Sequence, residues 1–306
     1  MTAALDRERF GPWALVTGAS SGIGKEFVRQ IAAAGINVVL VARREDALTE
    51  VGRTIANDFQ VQFRTLALDL SQEGLVQRLA EGKGFDVGTV AEDIRQVIAA
   101  FGRAEEKVRV VGHDVGSAVA YAWAAGHPEQ VEQLVLMEGL PAGLEPSGAG
   151  TPMFQGKPLW HLAFGMTPDV PERMLVDRER IFVEFLLRRG CYDPMTFPDE
   201  EIDAYTRPFA ALGGVRGALA HIRAIPTSAA LNRKLAEKVL EMPVLAIGAE
   251  LSFGKYMAEG ARRFARHVSG LVAERSGHWI PEERPDWLSE RLLAFFNASL
   301  ANQQVA

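Results

Sequence analysis

Along most of the chain, short runs of apolar and β-branched residues alternate with longer segments whose apolar positions recur every three to four residues. The runs are Trp13–Thr17, Asn37–Ala42, Gln62–Asp69, Val108–Gly112, Gln133–Met137, Val244–Gly248 and Gly270–Glu274. The periodic segments are Gly24–Ala34, Glu45–Asp58, Gln72–Glu81, Thr89–Phe101, Ser117–Gly126, Tyr256–Val268 and Pro285–Phe296. Strand–helix alternation predicts a mostly parallel sheet, because right-handed crossovers lay helices over both of its faces. The fold expected is therefore α/β: a three-layer, doubly wound parallel sheet of about seven strands.

One stretch breaks the alternation. Between Leu140 and Leu240 no run reads as a strand, and helix-like segments (Pro171–Arg189, Asp199–Ala211, Gly214–Ala224) are separated by Pro and Gly. Helices inserted between two strands of one sheet predict a lid beside a site, placed here at residues 143–235.

Composition narrows the classes. The chain has 306 residues, 33 Lys+Arg against 39 Asp+Glu, and one cysteine. It is long enough to bury a full core, and a lone cysteine excludes an internal disulfide or a cysteine-rich zinc site. The scattered histidines offer no pair at metal-ligand spacing, so no metal is expected, and His127 and His267 read as structural. A formal net charge of −6 argues against a nucleic-acid partner. No apolar run approaches the roughly 18 residues of a membrane span. The start, Met1 to Glu8, lacks a basic segment followed by an apolar one, so no signal peptide is read there. A cytoplasmic protein acting on a small molecule, as a monomer or a homodimer, is expected.

A glycine-rich turn, Thr17-Gly18-Ala19-Ser20-Ser21-Gly22-Ile23-Gly24, follows the first strand and opens the first helix. Glycines there let a backbone approach a pyrophosphate, whose charge a helix N-terminus favours. The candidate cofactor contacts are Gly18, Ser20, Ser21, Gly22, Ile23 and Gly24. The second strand runs into Arg43, which suits a 2′-phosphate and hence NADP(H) rather than NAD. Asp69, at the end of the third strand, is placed to meet an adenine ring.

Through the segments TGASSGIG, VLVARRED and LALDLS, residues 13 to about 83 resemble the first half of a short-chain dehydrogenase/reductase. That resemblance implies a nicotinamide nucleotide site and a Tyr-x-x-x-Lys pair to deliver a proton. The pair is missing: Tyr121, Tyr192, Tyr205 and Tyr256 all lack a lysine four residues on.

The second motif is Gly112-His113-Asp114-Val115-Gly116, between the strand ending at Gly112 and the helix beginning at Ser117. It has the form of a nucleophile elbow, with glycines expected on both sides because the turn is tight, and with Asp at the nucleophile position. Asp at such a turn also serves as a helix cap. A carboxylate displaces a leaving group at an sp³ carbon, giving an enzyme ester that water must cleave. Cleavage needs a histidine base and an acid to orient it. His278, just past the last strand, is the candidate base; Glu138, ending the strand after the elbow, is the candidate acid, with Glu250 as the alternative.

From about residue 85 to the C-terminus the chain resembles an α/β-hydrolase, close to epoxide hydrolases and haloacetate dehalogenases. The segments that carry this are FDVGTVAEDI, VRVVGHDVGSAVAYAWAAGHPEQVEQLVLMEG, MPVLAIGAE and SGHWIPEERPDWL. The resemblance implies a hydrolase acting on epoxides, or a haloalkanoate dehalogenase, that needs no cofactor. It also implies that His161, in Pro158-Leu159-Trp160-His161, holds the epoxide oxygen. The usual second donor, a tyrosine, is replaced in His221-Ile222-Arg223-Ala224, which leaves His221 or Tyr205 for that task. The N–H of Val115 is the expected oxyanion donor. A His-Gly-x-Pro loop that gives the other donor has no counterpart, and losing one such donor costs about 3–4 kcal/mol, or about 10²–10³ in rate. A slow hydrolase is therefore expected.

The two resemblances meet near Gly84. They predict a chimaera, natural or engineered: residues 1–83 as a Rossmann-like half, 84–142 with 236–306 as the hydrolase-like core, and 143–235 as the helical cap. Joining the halves predicts one continuous sheet in the order 3-2-1-4-5-6-7, with the glycine-rich turn beside Asp114. The alternative functions are an NADP(H)-binding, dehydrogenase-like protein and a folded scaffold without activity.

Overall fold

The computed structural model describes residues 13–20, 22–42, 44–67, 84–100, 106–145, 159–211 and 213–298. The first part runs β1 (Trp13–Thr17), α1 (Gly22–Ala33), β2 (Asn37–Ala42), α2 (Glu45–Phe59) and β3 (Phe63–Ala67). After it come α3 (Val87–Ala100), β4 (Val108–His113), α4 (Val115–Gly126) and, beyond a short turn, β5 (Val131–Met137). The described residues between β5 and the next strand form six helices and no strand: α5 (Trp160–Met166), α6 (Val170–Leu175), α7 (Glu179–Gly190), α8 (Asp199–Ala210), α9 (Gly214–Arg223) and α10 (Ile225–Leu235). The chain returns through β6 (Val244–Ala249), α11 (Tyr256–Ala261), β7 (Val268–Ala273), α12 (Ile280–Glu283) and α13 (Pro285–Ala298). The expected helix Gln72–Glu81 lies outside the described residues. None of the described helices is long and apolar enough to cross a membrane.

The fold is α/β with parallel strands throughout. Side-chain alternation explains why the second sheet is covered twice. Leu134 and Leu136 of β5, with Val244 and Ala246 of β6, pack among α3, α4 and α11. Their neighbours Val135, Met137, Leu245 and Ile247 point the other way, onto Ile280, Leu288 and Leu292 of α12 and α13. In the first part, Leu48, Val51 and Ile55 form one stripe of α2 that closes over β2. The fit is tight at Gly52, where a methyl would lie 2.2 Å from the Phe63 ring.

The single seven-stranded sheet is not observed. Among the described residues, β1-β2-β3 form one hydrogen-bonded sheet and β4-β5-β6-β7 another, so β1 and β4 do not pair. Each part closes a core of its own, and a helix joins them. Phe27 of α1 packs against both the first core and the Val135–Ile247 cluster, and Ser289 of α13 donates a hydrogen bond to Gln30 of α1. Helix packing satisfies this junction without the registered N–H and C=O rows that a β1–β4 ladder would require. Among the described residues no strand pairs with β4 on the side away from β5, and Val111 of β4 is 39% exposed.

Candidate active site

The sequence Gly112-His113-Asp114 forces β4 into α4 through one residue. Asp114 sits there at φ 54° and ψ −122°, a conformation that costs a non-glycine residue energy and persists only where its surroundings fix it. They do so on three sides. The Asp114 N–H donates to the Met137 carbonyl at 3.0 Å, and the Asp114 carbonyl accepts from the Ser117 N–H at 3.0 Å. A methyl at Gly112 would lie 2.3 Å from the Gly116 carbonyl, and one at Gly139 would lie 2.3 Å from the Asp114 carbonyl. Only a bare backbone fits at both positions. Gly116 differs: a methyl there meets nothing within 4 Å, so the expected crowding on both sides of the elbow holds on one side only.

Glu138 follows β5 directly and is fully buried. Its Oε1 accepts from the Ala249 N–H at 2.6 Å and its Oε2 lies 3.2 Å from His278 Nδ1. The opposite nitrogen, His278 Nε2, lies 3.7 Å from Asp114 Oδ1. The His278 main chain is tied as well, its N–H donating to the Gly190 carbonyl at the end of α7, at 2.6 Å. Burial alone would push the imidazole towards its neutral form, but the Asp114 and Glu138 carboxylates overcome it and raise His278 to about 10. Burial would likewise raise Asp114; the facing His278 outweighs it and holds the carboxyl down at about 2. The Asp114 side chain is nonetheless 53% exposed. It is closely surrounded by charged groups yet accessible. Glu250 is elsewhere: it accepts from the Arg275 N–H at 2.7 Å on the surface.

The other candidates fall into two groups. Val115 directs its N–H at the Asp114 carboxylate. His161, on α5, feels the charges of Asp114 and His278; burial, then Arg189, lowers its pKa. Its Nδ1 is buried without a hydrogen-bond partner among the described residues. His221 and Tyr205 depart from expectation. His221 Nδ1 lies 3.2 Å from the Phe85 carbonyl, with the two rings edge to face at 5.5 Å. The Tyr205 hydroxyl donates to Glu282 at 2.8 Å. Each is occupied in packing the inserted helices against the core.

In the glycine-rich turn, Gly18 adopts φ 66° and the Ala19 N–H reaches the Val41 carbonyl at 3.3 Å. Gly22, Ile23 and Gly24 lie in the first turn of α1, with Ser20 just before it. Among the described residues no hydrogen bond joins this turn to Asp114. Ser21, Arg43 and Asp69 lie outside the described residues.

Two residues at the site went unremarked in the sequence. His113 meets the main chain of His278, its Nε2 lying 2.7 Å from that residue's carbonyl. Glu283 accepts the N–H groups of Gly277, Tyr192 and Asp193, which pins the His278 loop to the residues after α7. Adjacency to Asp114 was the available signal for His113, whereas nothing local singles out Glu283, five residues after His278.

Comparison with known proteins gives two likenesses, one to the first part of the chain and one to most of its length. A family model described as short chain dehydrogenase matches residues 12–91. The very-long-chain 3-oxoacyl-CoA reductase of Rattus norvegicus is 36% identical over 87 residues, which is 28% of this chain and 28% of that one. The soluble epoxide hydrolase of Corynebacterium sp. (strain C12) is 29% identical over 238 residues, 77% of this chain and 81% of the relative. The sequence is chimaera-like. The likeness in fold spans both parts. The crystal structure of wild-type Cfl2 from Burkholderia cenocepacia superposes with a TM-score of 0.68 at 29% identity, over 93% of this chain and 87% of that one. The ligand-free structure of the epoxide hydrolase CorEH gives 0.69 at 24% identity, over 93% and 90%. Over most of its length the chain is similar to hydrolases, and those likenesses support a hydrolase.

Proposed function

We propose that the protein hydrolyses epoxides through an enzyme ester on Asp114. One observation carries the reading: a carboxylate on a strained turn faces the Nε2 of a histidine whose Nδ1 meets a fully buried carboxylate. Asp114 attacks an epoxide carbon and the ring C–O bond breaks. A ring N–H of His161 donates to the released oxygen, which takes a proton from water, and the hydroxide left behind takes the proton that the His278 imidazolium gives up. Water then gives a proton to His278 and attacks the ester carbonyl carbon; the diol oxygen leaves with the proton from His278, and Asp114 is regenerated. The Val115 N–H bears on the oxyanion of that second step.

Electrostatics supports the sequence of steps. With Asp114 ionised, His278 is held as imidazolium, unable to act as a base. Alkylation of Asp114 removes that negative charge, and the burial of His278 then favours the neutral base. The base is thus released by formation of the ester it must cleave. The cap at residues 143–235 belongs to this proposal, as the part that brings His161 to the site, and the reaction needs no cofactor. Diol formation from a panel of terminal epoxides, absent in Asp114→Asn, tests it; turnover retained in that variant contradicts the nucleophile.

A second reading, that the first part binds NADP(H), is favoured by the family match over residues 12–91 and by the left-handed Gly18 before the helix N-terminus. These residues fit a phosphate group. The chain supplies no Tyr-x-x-x-Lys pair beside it, so binding without hydride transfer is the form this reading takes.

A further inference from the structure

Among the described residues three contacts hold the base of the proposed reaction, and only one of them, Glu138, belongs to the relay. Glu138 meets the His278 side chain, and the Gly190 carbonyl takes its main-chain N–H. The third hold is on its carbonyl, from the residue immediately before the nucleophile: His113 Nε2 at 2.7 Å. The His113 and His278 rings lie 4.9 Å apart, tilted by 40°, and the His113 ring also lies 5.9 Å from Trp279.

We infer that His113 is the positioning residue of the ester-hydrolysis step, anchoring the main chain of His278 to the strand that carries Asp114. This rests on the reading of Asp114 and His278 proposed above. A carbonyl oxygen can only accept, so His113 carries its proton on Nε2. Burial, then the neighbouring His278 charge, lowers His113 to about 4, against the opposing pull of Asp114 and Glu138. The ring is therefore neutral under ordinary conditions, and places no second cation against the His278 imidazolium. Because His113 and Asp114 are consecutive, this one bond makes the base and the nucleophile share a rigid frame. Attack on carbon needs no help from His278. Hydrolysis does, since an error of about 1 Å in placing a catalytic group can cost about 10² in rate.

The test compares two half-reactions with a terminal epoxide as probe, following the Asp114 ester by intact-protein mass. His113→Leu keeps bulk without a donor, His113→Asn has an amide too short to reach the carbonyl, and His113→Gln places an N–H near the lost Nε2. The expected result is alkylation at the wild-type rate in all three, ester hydrolysis slower by about 10² in Leu and Asn, with adduct accumulating, and recovery in Gln. Wild-type hydrolysis in whichever of Leu and Asn folds, or equal slowing of both half-reactions, overturns the inference. A His278→Asn control separates the two proposals: if it accumulates no ester while the wild type turns over, the Asp114–His278 reading itself fails.

Discussion

Glu138 and His278, 140 residues apart in the chain, meet at 3.2 Å because β5 and the loop after β7 end on the same side of the sheet. The glutamate is itself immobile, since its other oxygen is bonded to the Ala249 N–H of the strand between them. Glu138→Gln keeps the shape and removes the charge. The corresponding change in serine-protease triads costs about 10⁴ in kcat. A loss of 10²-fold or more in diol formation is expected here, with His278 titrating lower; steady-state kinetics and histidine NMR check both.

The pairing of Asp114 with His278 predicts a change in titration during the reaction. In the resting protein His278 remains charged up to about pH 10. Because its folded pKa lies above the ordinary histidine value, the stability it contributes is present below about pH 6.5 and is lost as pH rises through about 10. Alkylating Asp114 removes its largest support, so the His278 resonance should move to the neutral form at pH 7. An ester form that still titrates near 10 would refute the proposed release of the base.

The elbow glycines should respond unequally. Gly112→Ala drives a methyl into the Gly116 carbonyl, so about 2–3 kcal/mol of stability and most activity should be lost. Gly116→Ala enters open space inside α4 and should be neutral, or stabilising by up to about 1 kcal/mol. Denaturant melts distinguish the two.

Glu282 stands beside the site but outside the proposed chemistry. Burial raises it to about 7, against the opposing hydrogen bond from Tyr205, and its Oε2 is buried without a partner among the described residues. A carboxyl whose pKa is raised on folding is harmless while protonated in both states, below about pH 4.5, and destabilises progressively as pH rises through about 7. The loss amounts to about 3 kcal/mol. Glu282→Gln should remove that fall, leaving a flatter profile of melting temperature against pH.

Much of this was legible in the sequence. The strands fall where β-branched runs end in glycine or a charged residue, and Asp114, Glu138 and His278 stand at strand ends in recognisable surroundings. What was hidden depends on tertiary contacts. The periodic run Tyr256–Val268 yields a helix only to Ala261, because Phe264 and Arg266 bond to Leu240 instead. The segment Pro171–Arg189 breaks in two where Asp177 takes φ 60°. The gap between β1 and β4 was invisible, since each strand's own residues suit a shared sheet and the helical junction through Phe27 settles the matter. Tyr205 and His221 were offered as alternative oxygen donors by the resemblance alone, yet their partners, Glu282 and Phe85, lie far away in sequence.

The central claim is that the oxygen added to the substrate comes first from Asp114 and not from water. One turnover with excess enzyme in heavy-oxygen water tests it most directly. Attack by Asp114 gives a first-turnover diol with no label, and puts the label in the peptide carrying Asp114. Label in the diol, with Asp114 unlabelled, would show direct attack by water and contradict the enzyme ester.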